Sequence, residues 1–362
     1  MPGARGDPGP SCSLVRVSPG APSLSAVSQE ELLAPNGMSP LLTLASMDAD
    51  RERIEAAMHA AVVTPDAYLN EIASHLIVAG GKRLRPVLAV AGAQIFGAAA
   101  SNDVVRGGVA CELVHLGSLY HDDVMDEADT RRGVETVNAK WGNLQAILAG
   151  DFLLSRASEI AASLGTEVAG LLARTIGWLC EGQIEELRHT YDRSRTETSY
   201  LASIHGKTAS LYGTAARIGG IVAGHDRPVV DALTEYGNAY GTVFQIVDDI
   251  LDITATDEQL GKPAGHDIVE GVYTLPVLRT LALGNAAASE LFELLGAPLD
   301  AVAQHEALAI LRSNDGIASA IDTAREFVAR AEACCDDFPD SDATAVLRTA
   351  PAALLESVPV TA

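Results

Sequence analysis

The sequence predicts an all-α protein. Three observations carry the prediction. Alanine and leucine dominate the 48% of hydrophobic residues while aromatics stay at 4%, which suits helix-on-helix packing better than stacked sheets. From Asp48 onward apolar residues recur at helical spacing. No stretch alternates with the period of a strand and no GxGxxG follows one, which disfavours nucleotide-binding α/β folds. With 362 residues and no internal repeat, the chain reads as one domain over 46–340 with roughly ten or more helices.

The elements follow in order. Residues 1–45 are rich in Pro, Gly and Ser and read as a disordered extension, or as the product of an upstream start with Met38 or Met47 as alternative initiators. Arg5 and Arg16 are too few for a basic transit peptide. Ile54, Met58 and Ala61, at i, i+4 and i+7, open the first helix. The longest apolar stretch, Pro86–Ala100, is broken by Gln94 and by glycines, so it is a core helix. No stretch supplies the roughly 18 apolar residues of a membrane span. Leu171, Leu172, Ile176 and Leu179 mark a later helix, and breaks are expected at Gly80-Gly81, Gly97, Gly107-Gly108, Gly165, Gly219-Gly220, Gly224, Gly261–Pro263 and Gly284. Residues 341–362 read as a flexible tail.

Five cysteines (Cys12, Cys111, Cys180, Cys334, Cys335) form neither a CxxC pair nor a zinc spacing, which points to free thiols in a reducing cytoplasm. The net charge of −23 argues against nucleic acid and anionic membrane as bulk partners. An anionic ligand must be held by a local cationic site or through metal ions.

Two carboxylate clusters answer that condition. Asp122, Asp123 and Asp126 follow an apolar helical run, and Asp248, Asp249 and Asp252 repeat the spacing inside an even more apolar stretch, Val243–Ile253. On a helix the first and last of each triplet share a face, about 6 Å apart along the axis. A solvated acidic face explains one such triplet but not two. Like charges one turn apart destabilise a helix by a few tenths of a kcal/mol, and carboxylates among Val, Ile, Phe and Leu cost several kcal/mol to desolvate unless paired. The repeated pattern calls for a cation. Oxygen donors without nearby cysteine select Mg²⁺, or Mn²⁺, over zinc, with water and phosphate oxygens completing the shell.

The scarce positive charges gather near glycines and these clusters: Lys82, Arg83 and Arg85 after Gly80-Gly81, Arg131-Arg132-Gly133, Gly206-Lys207-Thr208, and Gly261-Lys262-Pro263. His115 lies two turns before Asp122. Together they describe two anion subsites, one bound through metal and one directly by Arg and Lys, and a diphosphate suits both.

Segments Gly80–Pro86, His121–Gly133, Gly206–Leu211, Gln245–Asp252 and Gly261–Pro276 resemble, in this order and over roughly residues 50–335, the trans-isoprenyl diphosphate (polyprenyl) synthases of medium- and long-chain type. The resemblance implies the isoprenoid synthase helical bundle, with the two clusters facing each other across a central apolar cavity. It implies that Asp122, Asp123, Asp126, Asp248, Asp249 and Asp252 hold Mg²⁺ on an allylic prenyl diphosphate also contacted by Arg131, Lys207 and Lys262. Lys82, Arg85, His115 and Arg132 match the subsite for isopentenyl diphosphate. Lys207, Thr208 and Gln245 match the groups that stabilise the allylic cation. Val272 stands where the family often has a lysine, so one phosphate contact departs from the pattern.

The implied reaction is sequential head-to-tail condensation of isopentenyl diphosphate with the allylic diphosphate. The product would grow past Ser118 and Gly117, both small where short-chain members commonly place an aromatic, and the two-residue insertion some of those carry between the aspartates is absent. The expected product is all-trans and longer than geranylgeranyl diphosphate, such as a quinone side-chain precursor; a helix–helix contact is the competing account of Gly117. A geranylgeranyl or farnesyl diphosphate synthase is the alternative. A class I terpene cyclase normally mixes Asn, Ser and Glu in its second metal motif, and a non-catalytic synthase subunit would be expected to lack carboxylates that are all present here. The resemblance further implies a homodimer; the cysteines point to the cytoplasm, and peripheral membrane contact would serve product release.

Overall fold

The structure is a computed structural model that describes residues 39–255 and 264–358. The expectations for residues 1–38, for the Gly261–Pro263 turn with Lys262, and for residues 359–362 lie outside the described residues.

Helices α1 Met47–Ala61, α2 Ala67–Val78, α3 Leu84–Ala93 and α4 Asn102–Met125 come first. A short hairpin, β1 Thr130–Arg131 paired antiparallel with β2 Val134–Glu135, departs from the purely helical expectation. Then come α5 Val137–Trp141, α6 Asn143–Ser163 and α7 Thr166–Arg188. Helix α8 Glu197–Ile204 passes through a π turn, His205–Ala209, into α9 Ser210–Val222. The remaining described helices are α10 Arg227–Thr254, α11 His266–Val269, α12 Leu275–Ala282, α13 Ala286–Leu294, α14 Ala301–Arg312, α15 Gly316–Cys334 and α16 Asp342–Leu355. The described residues form a helical bundle with this one short hairpin.

Every residue of α3 is buried, and α4 and α9 pack around it. Here the glycine pairs expected to break helices do the opposite. Gly107-Gly108 lies inside α4 and Gly219-Gly220 inside α9. A Cβ on Gly108 would sit 2.6 Å from Pro86 Cα, and one on Gly219 would collide with the Ala89 carbonyl, so both glycines let neighbouring backbones touch. Gly97, Gly165, Gly224 and Gly284 do end elements, each with positive φ.

The flexible tail expected from residue 341 is instead helix α16. Ser341 caps it by accepting from the Thr344 N–H at 3.1 Å, and Leu347, Ala350 and Leu354 form a buried face at helical spacing. The Tyr236 hydroxyl donates to the Leu347 carbonyl at 2.7 Å. Order also begins before residue 46: Leu41, in the 3₁₀ turn Pro40–Leu42, is buried and that turn packs on α16.

Candidate active site

One face of α4 carries His115, Ser118 and Asp122, half-buried at i, i+3 and i+7. Asp126 caps the helix and is exposed. Asp123 turns inward and is fully buried; its Oδ1 accepts from Arg131 Nε at 2.6 Å, while Oδ2 has no hydrogen-bond partner among the described residues. The chain then reverses through Glu127, Arg132 and Gly133, all at positive φ. This reversal brings Arg132 to the Gly80 carbonyl, which accepts from its Nη1, and so sets the double-arginine turn against the Gly80–Lys82 loop.

Within that loop the cations divide. Arg83 is buried, bonded through Nε to Glu55 at 2.7 Å and through Nη2 to the Ile77 carbonyl at 2.8 Å, and it holds the entry to α3. Arg85 is also buried, with its guanidinium 4.5 Å from the Tyr212 ring centroid and no hydrogen-bond partner for Nε among the described residues.

Opposite α4, Gly182 of α7 and Gly206 of the π turn meet backbone to backbone. A Cβ on Gly182 would lie 2.7 Å from the Ser203 carbonyl oxygen and closer still to the Lys207 amide. The approach seats Lys207 beside Glu186, Nζ to Oε1 at 2.6 Å. π turns are rare and recur at functional sites. Gly182→Val should therefore cost about 2–3 kcal/mol in urea unfolding through overpacking, and lower turnover by moving Lys207; unchanged stability would contradict this packing.

The electrostatics tie the elements together. Burial pushes the Asp122 carboxyl up to about 6, against the pull of Lys207 and Arg131, with Asp126 and Asp123 adding to the rise. Burial works against the Lys207 ammonium, yet Glu186 and Asp122 hold it above the ordinary lysine range.

The second triplet divides in the same way. Asp248 is half-buried, whereas Asp249 and Asp252 are buried. Asp249 Oδ2 accepts from the Tyr200 hydroxyl at 2.5 Å and Oδ1 from Gln245 Nε2 at 2.8 Å. Burial pushes Asp249 up to about 8 despite these two bonds, helped by Asp248 and Glu186. Asp252 Oδ2 accepts from the Asp267 N–H at 3.1 Å. Gln245 Oε1 accepts from the Thr208 hydroxyl at 2.8 Å.

The six aspartates differ in burial: Asp126 is exposed, Asp122 and Asp248 are half-buried, and Asp123, Asp249 and Asp252 are buried and accept hydrogen bonds within the protein. Among the described residues no three His, Cys, Asp or Glu side chains converge tightly enough to hold an ion alone. The donors still fit a hard divalent cation that completes its shell with water and phosphate: all are oxygens, Asp123 Oδ2 is unmet, and Asp122 and Asp249 are short of positive charge.

A Cβ on Gly117 would lie 3.0 Å from the Gly150 carbonyl oxygen and 3.3 Å from Leu154 Cγ, so the glycine serves the close packing of α4 on α6, the competing account of this position. Ser118, whose hydroxyl donates to the His115 carbonyl at 2.9 Å, stays on the open face. Sequence reasoning missed Glu186 and Tyr200. Glu186 meets Lys207, and Tyr200 meets Asp249, only through tertiary packing, and neither has a motif that marks it in the sequence.

An all-helical bundle with two acidic triplets, a lysine between their helices and an arginine-rich turn at one end defines an isoprenoid synthase. Residues 66–310 match the family described as Polyprenyl synthetase, and the chain belongs to that family. It is a prenyltransferase. A nonaprenyl diphosphate synthase of Mycobacterium tuberculosis is 40% identical over 307 residues, covering 84% of this chain and 92% of its own. The crystal structure of a polyprenyl synthase from Caulobacter crescentus, complexed with calcium and isoprenyl diphosphate, matches with a TM-score of 0.81 and 31% identity over 92% of this chain and 99% of that one. That of a geranylgeranyl pyrophosphate synthase from Corynebacterium glutamicum, also with calcium and isoprenyl diphosphate, has a TM-score of 0.76 and 36% identity over 86% and 96%. Among the described residues no helix is long and apolar enough to cross a membrane.

Proposed function

We propose that this prenyltransferase is a magnesium-dependent trans-polyprenyl diphosphate synthase that condenses isopentenyl diphosphate head to tail with an allylic prenyl diphosphate, to a product longer than geranylgeranyl diphosphate. The supporting observation is the junction of α4, α7, the π turn and α10: Lys207 pairs with Glu186 and acts on Asp122, Thr208 bonds to Gln245, and Asp248 follows Gln245 by three residues on α10. Mg²⁺, held through Asp122, Asp126 and Asp248 with Asp123 behind them, would supply Lewis-acid stabilisation of the charge on the leaving diphosphate. Lys207 and Arg131 add fixed positive charge on that side, and Lys262 joins them on its motif alone. The Thr208 and Gln245 oxygens turn their dipoles toward the allylic cation. Lys82, Arg85, His115 and Arg132 hold isopentenyl diphosphate, whose double bond attacks the cation; proton loss then leaves a chain longer by one isoprene unit. Ile176 and Leu179 on α7 and Phe244 on α10 are partly buried apolar groups that help exclude the water that would quench the cation.

Two further features belong to this reading. Leu144, Ile147 and Leu148 form an exposed apolar row on α6, 74%, 41% and 65% accessible, with Met125 also exposed; such a row supports a homodimer through this face. Cys111, Cys180, Cys334 and Cys335 are all free thiols, as suits the cytoplasm.

The deciding experiment incubates the purified protein with Mg²⁺, labelled isopentenyl diphosphate and farnesyl or geranylgeranyl diphosphate, and sizes the products. Products that stop at geranylgeranyl diphosphate would favour the short-chain alternative, and no incorporation would overturn the reading. Ser118→Phe should shorten the products, because residue 118 shares the open face with Asp122; an unchanged distribution would remove Ser118 from the product path. Gly117→Phe should instead destabilise the α4–α6 contact by about 3 kcal/mol.

A further inference from the structure

We propose that Tyr200 is a positioning residue for this condensation, acting through Asp249 to aim the Gln245 carbonyl at the reacting carbons. The inference rests on the proposed function and assigns Asp249 to orientation rather than to metal binding.

Three hydrogen bonds run in series. The Tyr200 hydroxyl donates to Asp249 Oδ2, Gln245 Nε2 donates to Asp249 Oδ1, and the Thr208 hydroxyl donates to Gln245 Oε1. A glutamine amide has one accepting and one donating end. Burial favours a proton on Asp249, and that proton sits on Oδ2 facing Tyr200, so Oδ1 still accepts; with Oδ1 on one side and a donor hydroxyl on the other, a single amide orientation satisfies both. Turned over, the amide would set its oxygen against the carboxylate and present N–H groups to a carbocation. The carboxylate therefore decides which end of Gln245 faces the substrate.

That decision holds only while the carboxylate itself is fixed. Tyr200 is 1% exposed and lies on α8, whereas Asp249 and Gln245 are one turn apart on α10, so its hydroxyl ties the carboxylate to a second element. Behind the ring, the Arg195 guanidinium lies 5.7 Å from its centroid, anchored by Nη1 to the Tyr273 carbonyl at 3.1 Å and by Nη2 to Ser203 Oγ at 2.9 Å. Phenylalanine would fill the same volume. What the hydroxyl adds is the bond to Asp249, and both carboxylate oxygens are then occupied within the protein.

The test compares Tyr200→Phe, Gln245→Leu and the double variant in the full-length enzyme, measuring kcat, KM for each diphosphate, the Mg²⁺ requirement and Tm. Tyr200→Phe should lower kcat about tenfold with both KM values within about twofold, and the double variant should be no slower than Gln245→Leu alone, because residues acting as one unit are non-additive. Asp249→Asn should reproduce the kcat loss at an unchanged Mg²⁺ requirement, and it carries the test if Tyr200→Phe does not fold. Multiplying losses in the double variant, an unaffected kcat, or a raised Mg²⁺ requirement in Asp249→Asn would overturn the proposal. Absence of condensation by the wild-type enzyme is a different result and would overturn the proposed function itself.

Discussion

Replacing Asp248 by alanine is expected to lower condensation by about a thousandfold or more, roughly 4 kcal/mol of transition-state stabilisation, while the fold keeps its melting temperature. The separation of the two effects follows from where the side chain sits. Asp248 is the half-buried member of its triplet, on the same side of α10 as Gln245, and its charge helps push Asp249 upward. Removing it opens no core cavity, relieves that repulsion and places alanine, the best helix former, inside a long helix. Asp252→Ala should behave differently. Its Oδ2 accepts from the part-buried Asp267 N–H, so truncation of this buried side chain removes that acceptor and should cost about 1–2 kcal/mol of stability besides any loss of rate. Labelled isopentenyl diphosphate incorporation and thermal melts on both variants check the contrast. Retained turnover in Asp248→Ala would contradict its assignment to the metal.

The second large effect is on stability. The metal-free protein is expected to lose stability as pH rises from about 5 to about 8.5. Asp122 and Asp249 are pushed from an ordinary value of 3.8 up to about 6 and about 8, chiefly by burial. A carboxyl raised in the folded state is protonated there more readily than in the unfolded chain. Its contribution is fully present below the unfolded value and is lost as pH climbs through 6 and then 8. A cation held through ionised Asp122 opposes its part of this loss, so Mg²⁺ with inorganic diphosphate should stabilise the protein more at pH 8.5 than at pH 5.5. Urea titrations at the two pH values, with chelator or with Mg²⁺ and diphosphate, measure both effects. A flat profile in chelator would mean these carboxyls are better solvated than their burial indicates.

How much of this was legible in the sequence varies residue by residue. The two triplets were legible because spacing alone puts Asp122 with Asp126, and Asp248 with Asp252, on common faces. Which members turn inward was not, since both triplets have the same spacing and burial is decided by the helices packed against them. Asp249 is drawn inward by Tyr200, a residue with no motif of its own. Gly108 and Gly219 were read as punctuation because sequence does not distinguish a glycine that ends a helix from one that admits a neighbour. Gly117 carried the same ambiguity, and the Gly150 carbonyl resolves it. Helix α16 was overlooked because Pro351 and a threonine- and alanine-rich run hid the buried face formed by Leu347, Ala350 and Leu354.

The seating of Pro40–Leu42 on Asp342–Leu355 makes the first and last described segments a single latch. A shortened chain starting at Met47 would lack Leu41 and Leu44, baring apolar surface on the closing helix at the opposite terminus. Trimming one end should therefore loosen the other, and protease cuts near residue 355 would be the first sign of a truncation made three hundred residues away.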